Sequence, residues 1–204
     1  MDLPSDDDSA GLSEYADAVV AAVGAVGAAA GDELVVVAQS LGGFTAPLVC
    51  DRLPVRLIIL VAAMVPAPGE SPGEWWANTG WTESRTEQAA LYGSPADGNF
   101  DEMATFFHDV PPEITTETFA RGARAQSGTP FEKPWPLDAW PDVPTRFLLC
   151  RDDRFFPADF QRRVVRERLG IVADEMDGGH LPALAHPHEL VRRLEAYRTE
   201  LFGR

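Results

Sequence analysis

The order of apolar and polar positions along the chain predicts parallel strands that alternate with helices. Continuous apolar runs, typical of strands buried on both faces of a sheet, lie at Val55–Ala63 and Thr145–Cys150. A third run at Glu33–Ala38 and a weaker one at Gly170–Ala173 add two further strands. Helices are predicted at Leu12 to Ala30, ending at Gly31-Asp32, and at Leu41 to Arg52, Ala158 to Leu169 and Glu189 to Phe202. The alternation predicts an α/β fold with a mostly parallel sheet and helices on both faces.

The segment from about residue 65 to residue 144 has a different composition. It holds most of the prolines and all of the tryptophans, which are Trp75, Trp76, Trp81, Trp135 and Trp140. Short helices are predicted there at Glu83 to Leu91, Asp101 to Phe107 and Glu113 to Gln126. We predict that residues 1–204 form a single domain in which 65–144 is a helical lid inserted over the carboxyl edge of the sheet. Most of the lid aromatics are expected to fill its own core.

Composition and charge exclude several classes of partner. The 204 residues carry a formal net charge of −15, which disfavours nucleic acid and anionic membrane surfaces and leaves small neutral substrates. No apolar run approaches the roughly 20 residues of a membrane span, and the first residues are acidic, unlike a secretory signal, so a cytoplasmic location is predicted. Cys50 and Cys150 lack metal-ligand spacing and are expected to be buried, reduced thiols. We expect no cofactor and no metal site, because no metal cluster, phosphate loop or dinucleotide glycine pattern is present.

Ser40 lies where an apolar strand passes directly into a helical segment. The sequence Ala-Gln-Ser-Leu-Gly-Gly at 38–43 predicts a sharp turn that holds a serine hydroxyl at its tip, with Ala38 and Gly42 small enough to let strand and helix approach. The backbone N–H of Leu41 is then a candidate oxyanion donor. The alternative is an ordinary helix N-cap, because Ala38 stands where the commoner Gly-x-Ser-x-Gly motif has glycine.

A carboxylate and a histidine follow later strands at the same predicted rim of the sheet. Asp152 and Asp153 come directly after the third strand, and His180 follows the fourth in Gly-Gly-His. The order serine, aspartate, histidine predicts a nucleophile, an orienting acid and a general base. The alternative for His180 is a loop histidine bonded to backbone. Chemistry alone does not separate the two aspartates, one of which is expected to face the histidine while the other caps the next helix or pairs with Arg151 or Arg154. The remaining histidines are expected to lie elsewhere, His108 in the lid and His186 and His188 as solvated or capping residues of the last helix.

With these motifs in place the chain resembles the α/β-hydrolases, and more narrowly the small plant-type methylesterase and hydroxynitrile lyase group and its bacterial relatives. The resemblance is carried by Ala-Gln-Ser-Leu-Gly-Gly at 38–43, by Asp-Arg-Phe-Phe-Pro-Ala-Asp-Phe-Gln at 153–161 and by Gly-Gly-His at 178–180. Setting Phe160-Gln161 on the matching Phe-Gln of that group implies that Asp153 is the catalytic carboxylate. In the lyases a lysine follows the catalytic histidine, whereas Leu181 stands here, which favours ester hydrolysis over cyanohydrin cleavage.

A second departure from that group concerns the start of the sequence. Members of the group begin with a strand, a His-Gly oxyanion loop, a helix and another strand, and Asp2-Leu3-Pro4 matches the segment that comes after that second strand. The resemblance therefore implies one missing oxyanion donor, the loss of which costs about 2.7–4 kcal/mol in transition-state stabilisation. It also implies an open edge at Glu33–Ala38 that could pair with a second copy in a homodimer.

Three functions are consistent with the sequence. The first is a serine esterase that cleaves a small, largely apolar ester through an acyl-enzyme on Ser40, with Asp153, His180 and the Leu41 N–H completing its site. The alternatives are a catalytically incomplete binding or remnant module, suggested by the absent oxyanion loop, and a hydroxynitrile-lyase-type enzyme, which Leu181 disfavours.

Overall fold

The computed structural model of the protein describes residues 2–26, 33–91, 101–122 and 124–203. The strands are β1 (Leu34–Ser40), β2 (Val55–Ala63), β3 (Thr145–Cys150) and β4 (Asp174–Met176). The helices are α1 (Leu12–Ala25), α2 (Gly42–Thr45), α3 (Pro72–Asn78), α4 (Trp81–Leu91), α5 (Glu102–Phe106), α6 (Pro112–Arg121), α7 (Ala158–Leu169), α8 (Pro182–Ala185) and α9 (Pro187–Phe202). Short 3₁₀ segments lie at Ala46–Val49 and Thr129–Phe131.

The chain divides into two compact units, the first formed by residues 1–75 and 124–146. Its centre is the parallel pair of β1 and β2, in which Val36 lies opposite Ile58. β2 is buried along nearly its whole length, as its continuous apolar sequence requires. The Ile58 N–H donates to the carbonyl of Pro144 at 2.9 Å, so the residue that precedes β3 extends the hydrogen bonding of β2.

Two tryptophans pack into the core of this first unit. Trp75 and Trp135 are both almost completely buried. Their indole N–H groups donate to the carbonyls of Val65 at 2.9 Å and Phe44 at 3.0 Å. Because each polar indole nitrogen has a partner, both rings can be buried without the cost of an unsatisfied donor.

The second unit is formed by residues 76–123 and 147–204. Here β3 and β4 form a parallel pair in which Leu148 lies opposite Asp174. The helix that connects them, α7, buries Phe160, Val164 and Val165 on one face, and it ends at Gly170 in the left-handed conformation. The predicted alternation of strands and helices in an α/β fold is confirmed. The predicted lid, 65–144, contributes residues to both units, and its assignment as an insertion within a single domain stays a prediction.

Several element boundaries differ from those predicted. The helix predicted at Leu41 to Arg52 is only one α-turn followed by a 3₁₀ turn, because Pro47 has no N–H to continue the α-helical bonding. The predicted helix at Glu113 to Gln126 ends at Arg121, followed by Gly122 at a φ of 76°. The strand predicted at Gly170–Ala173 lies instead at Asp174–Met176, since Gly170 closes α7. The predicted end of α1 at Gly31-Asp32 lies outside the described residues.

Among the described helices, none combines the length and apolar character needed to cross a membrane. The predicted cytoplasmic location stays a prediction.

Candidate active site

Ser40 occupies a strained backbone position at the end of β1. Its φ is 50°, a value that residues other than glycine adopt at a cost of about 1–3 kcal/mol. The strand register shifts between Gln39 and Ser40, and the Ser40 carbonyl accepts a hydrogen bond from the Met64 N–H at 3.0 Å. The turn that the sequence predicts at this serine is therefore present, and neighbouring backbone holds it in its strained conformation.

Two glycines after Ser40 let the turn pack against its neighbours. A Cβ on Gly42 would lie 3.4 Å from the Cβ of Ala38, at the limit of an ordinary contact, so the two predicted small positions face each other. The tighter position is Gly43, for which the sequence pattern gives no separate signal. A Cβ there would lie 1.8 Å from the carbonyl oxygen of Met64, so only glycine fits beside the end of β2.

Leu41, the predicted oxyanion donor, directly follows Ser40 at the N-terminus of α2. Its φ of −54° and ψ of −24° are helical, so its N–H belongs to the first turn of the segment that leaves the elbow. Because α2 has only four residues, its helix dipole would stabilise an oxyanion less than the dipole of the longer helix predicted at Leu41 to Arg52.

Asp153 and His180 form a buried hydrogen-bonded pair in the second unit. The Nδ1 atom of His180 lies 2.8 Å from Oδ2 of Asp153, and both side chains are almost inaccessible to solvent. The other oxygen of Asp153, Oδ1, accepts the backbone N–H groups of Phe155 at 2.8 Å and Phe156 at 2.9 Å. A buried carboxylate needs such partners, because an unpaired charge in the interior is strongly destabilising. These three bonds fix both the position of the acid and the orientation of the imidazole.

Aromatic rings surround the imidazole of His180. The ring centroids of Phe106, Phe155 and Phe156 lie 5.2, 5.1 and 5.1 Å from that of the histidine. With Nδ1 bound to Asp153, Nε2 is the ring nitrogen that a general base would use. The apolar surroundings lower the local polarity and strengthen the electrostatic interaction between Asp153 and an imidazolium.

Asp152 has a different role from the ones that the sequence suggests. Its Oδ2 accepts the N–H of Gly178 at 3.1 Å, and its own N–H donates to the carbonyl of Gly178 at 3.0 Å. Gly178 has a φ of 115°, which residues with a side chain rarely adopt. The first aspartate thus holds the loop that carries the histidine, while the second contacts the histidine itself.

The site residues are distributed over both units. Ser40 and Leu41 belong to the first unit, and Asp153 and His180 belong to the second.

A family comparison identifies the class of fold. The model of the alpha/beta hydrolase family (Abhydrolase_6) matches residues 1–193 of the chain. The chain belongs to this family. The hydrolase fold accounts for the parallel strands, and for a serine placed at a strained strand-to-helix turn.

Similar proteins include several esterases. The chain is 25% identical over 182 residues to Methylesterase 7 of Arabidopsis thaliana, in a match that covers 78% of this chain and 66% of that protein, just under two thirds of its length. Polyneuridine aldehyde esterase has a similar structure, with a TM-score of 0.68, 18% identity and coverage of 92% of this chain and 80% of that one. The resemblance to the plant-type methylesterase group is therefore confirmed.

Two bacterial hydrolases also share the fold. An extracellular alpha/beta-hydrolase from a Paenibacillus species matches with a TM-score of 0.69 and 14% identity, over 93% of this chain and 81% of that chain. A pyrethroid hydrolase from Sphingobium faniae JZ-2 matches with a TM-score of 0.63 and 21% identity, over 92% of this chain and 78% of that chain.

Two residues that support the histidine and its acid are not predicted by the sequence patterns. Gln88 of α4 donates to the Asp153 carbonyl at 2.9 Å. Asp109, in the turn between α5 and α6, accepts the Gly179 N–H at 2.6 Å. His186 precedes α9 without a side-chain cap bond and lies 3.4 Å from Asp109, while His188 is exposed. The segment 65–144 holds many other polar residues, so no sequence pattern distinguishes Gln88 or Asp109 from them.

Neither cysteine is a candidate nucleophile. Burial raises the pKa of the Cys50 thiol to about 11, with a further contribution from Asp51. The pKa of Cys150 is raised by burial and then by the nearby carboxylates of Asp153, Asp109 and Asp152. In the part of the chain that the structure describes, no group of three or more His, Cys, Asp or Glu residues could hold a metal ion. The expectation of no cofactor stays a prediction.

Proposed function

We propose that the chain is a serine hydrolase of the carboxylesterase type that cleaves a small, largely apolar ester. The proposal assigns Ser40 as the nucleophile, His180 as the general base, Asp153 as the orienting acid and the Leu41 N–H as an oxyanion donor. The observation that carries it is the buried contact of 2.8 Å between Asp153 and His180. A histidine held in one tautomer by a buried carboxylate is the activating pair that a serine nucleophile needs.

The proposed reaction has two steps. In the first, Nε2 of His180 takes the proton of the Ser40 hydroxyl as its oxygen bonds to the ester carbonyl carbon. The resulting oxyanion is stabilised by the Leu41 N–H, and the alcohol leaves with the proton that His180 returns. In the second, water attacks the acyl-serine with the same base, releasing the acid and restoring Ser40. The role of Asp153 is to stabilise the imidazolium that forms in each step.

Three further observations support a small, apolar ester as the substrate. The rings of Phe106, Phe155 and Phe156 around His180 favour apolar over charged groups near the base. The names of similar proteins, Methylesterase 7 and polyneuridine aldehyde esterase, are those of ester-cleaving enzymes. A small neutral substrate also agrees with the net charge of −15, which disfavours anionic ligands.

Hydrolysis of p-nitrophenyl acetate and butyrate by the purified chain tests the proposal. Ser40→Ala and His180→Gln are each expected to reduce kcat by several orders of magnitude, because members of such a triad act as a unit. His188→Gln is the matched control, since this histidine is exposed at the start of α9, and its kcat should equal that of the wild type. Unchanged hydrolysis in Ser40→Ala would refute the assignment of the nucleophile.

A further inference from the structure

The loop 178–180 is held by three aspartates, one for each residue. Asp152 accepts the Gly178 N–H at 3.1 Å, Asp109 accepts the Gly179 N–H at 2.6 Å, and Asp153 contacts Nδ1 of His180 at 2.8 Å. Asp152 and Asp153 follow β3, but Asp109 comes from the turn between α5 and α6, in the predicted lid. One of the three aspartates that hold the loop therefore belongs to the predicted lid.

Steric contacts show how closely the Asp109 turn approaches this loop. A Cβ on Gly179 would lie 2.6 Å from Oδ1 of Asp109 and 2.7 Å from Nε2 of His108. A Cβ on Gly178 would lie 2.4 Å from Cδ2 of His186. At Gly178 the φ of 115° disfavours any residue with a side chain, and at Gly179 a Cβ would displace the side chains of Asp109 or His108.

Charge makes the Asp109 contact stronger than an ordinary loop hydrogen bond. Its side chain is only 17% exposed, and the same Oδ2 that accepts the Gly179 N–H lies 3.4 Å from Nε2 of His186. Hydrogen bonds to an ionised acceptor in a partly buried site are about twice as strong as neutral ones.

We propose that Asp109 is a positioning residue for the general base. By accepting the Gly179 N–H, it fixes the loop that carries His180 and so orients Nε2 of the imidazole for proton transfer. The inference rests on the proposed function of His180 as a base. Asp109 acts through the backbone and exchanges no proton with the substrate. Since it belongs to the turn between α5 and α6, a displacement of that turn would release the loop and misalign the imidazole.

The test compares Asp109→Ala and Asp109→Asn with the control Asp177→Asn. Alanine removes the acceptor for the Gly179 N–H, whereas the asparagine carbonyl oxygen retains it without the charge. Asp177 immediately precedes the loop, but it is largely exposed and its ion pair is with Arg151, so its substitution should leave the loop in place.

The first readout does not depend on activity. Hydrogen exchange of the ¹⁵N-labelled Gly179 amide should accelerate by about tenfold or more in Asp109→Ala, because a charge-assisted bond is lost. Asp109→Asn, which keeps a weaker neutral bond, should give a smaller acceleration, and Asp177→Asn should stay near the wild-type rate. Amides of β2 report global stability and should be unchanged. Equal Gly179 exchange in Asp109→Ala and wild type would overturn the proposal.

The second readout is the pH profile of ester hydrolysis. Asp109→Ala should lower kcat by about tenfold with KM within about twofold and shift the pH dependence of kcat, while Asp109→Asn recovers most of the rate. Accelerated exchange with an unaltered kcat and pH profile would refute the positioning role. If the wild type itself hydrolyses no ester, the proposed function fails, and the exchange of Gly179 then decides separately whether Asp109 holds the loop.

Discussion

At the scale of single residues, two residues near the serine turn have strained backbone conformations. Ser40 has a φ of 50°, and Ala62, buried near the end of β2, has a φ of 42°. Two residues other than glycine in the left-handed region cost free energy that the surrounding packing must offset. Strained residues of this kind concentrate at functional sites, which agrees with the proposed role of Ser40.

Gly43→Ala should destabilise the chain, because its Cβ would lie 1.8 Å from the backbone oxygen of Met64, which cannot move without distorting the end of β2. We expect a loss in the free energy of unfolding of at least about 1–3 kcal/mol, measured by urea denaturation. Gly24→Ala is the control: no atom lies within 4 Å of a Cβ there, and alanine in helix α1 should stabilise by up to about 1 kcal/mol. Equal stability of Gly43→Ala and wild type would contradict the close packing of the turn.

The residue scale also separates what the sequence could predict from what it could not. Chain order and the resemblance led to Ser40, Asp153 and His180, and the contact of Asp153 with the histidine agrees with that choice. Asp109 was not predicted, since it meets Gly179 across 70 positions of sequence. No local pattern encodes such a contact, which depends on how the lid folds.

At the scale of secondary structure, ion pairs connect β3, β4 and α7. Arg162 of α7 donates to both oxygens of Glu175 on β4, at 2.8 and 2.9 Å, and Arg151, just after β3, donates to Oε2 of the same residue at 3.1 Å. The hydrogen bonds of Arg162 are the largest cause that lowers the pKa of Glu175 below its usual 4.5. The short β4 is thus joined to its neighbours by charge as well as by backbone bonds.

These ion pairs predict a specific loss of stability in acid. Because the pKa of Glu175 is lower in the folded than in the unfolded chain, its contribution is fully present above the ordinary glutamate pKa of 4.5 and is lost as the pH falls through the folded value. Glu175→Gln should therefore reduce the free energy of unfolding at pH 7 and converge with the wild type in acid. Denaturant titrations between pH 7 and pH 3 measure this difference. Glu167→Gln, whose partner Arg163 is exposed, should show a smaller effect, and a constant difference across the range would contradict the assignment.

Element prediction succeeded where burial is complete and failed where it is partial. The bounds predicted for β2, β3 and α7 are confirmed, because continuous apolar runs and a clear helical face leave one interpretation. The predicted position of β4 is wrong because its sequence, Asp-Glu-Met, is largely polar and pairs with β3 through backbone bonds. An apolar residue on which the prediction relied, Val172, is 84% exposed. In such a segment tertiary pairing overrides the apolar pattern.

At the scale of the whole molecule, β1 is expected to bring two copies together. β1 pairs with β2, and among the described residues it has no second strand partner. Val37 on this strand is 48% exposed, although apolar strands of parallel sheets are normally covered. We expect a concentration-dependent homodimer through this edge, measured by analytical ultracentrifugation, and dissociation in Val37→Lys, because an edge lysine opposes strand pairing. A wild type that is monomeric at every concentration would contradict this expectation.

The residues assigned to the proposed triad come from both units, the nucleophile from one and the acid and base from the other. The first unit carries the strained serine turn, and the second unit carries the buried Asp–His pair. Only a chemical test in which both must act reports on the complete triad. Phosphonylation is such a test, because a fluorophosphonate reacts with a serine only when a base activates it.

The most direct measurement is therefore fluorophosphonate labelling of the purified chain, with peptide mapping of the labelled residue. We predict stoichiometric label on Ser40, none in Ser40→Ala, and a rate reduced by several orders of magnitude in His180→Gln but not in the control His188→Gln. A folded chain that takes up no label, or that is labelled equally in Ser40→Ala, would contradict the assignment of a serine hydrolase with Ser40 as its nucleophile.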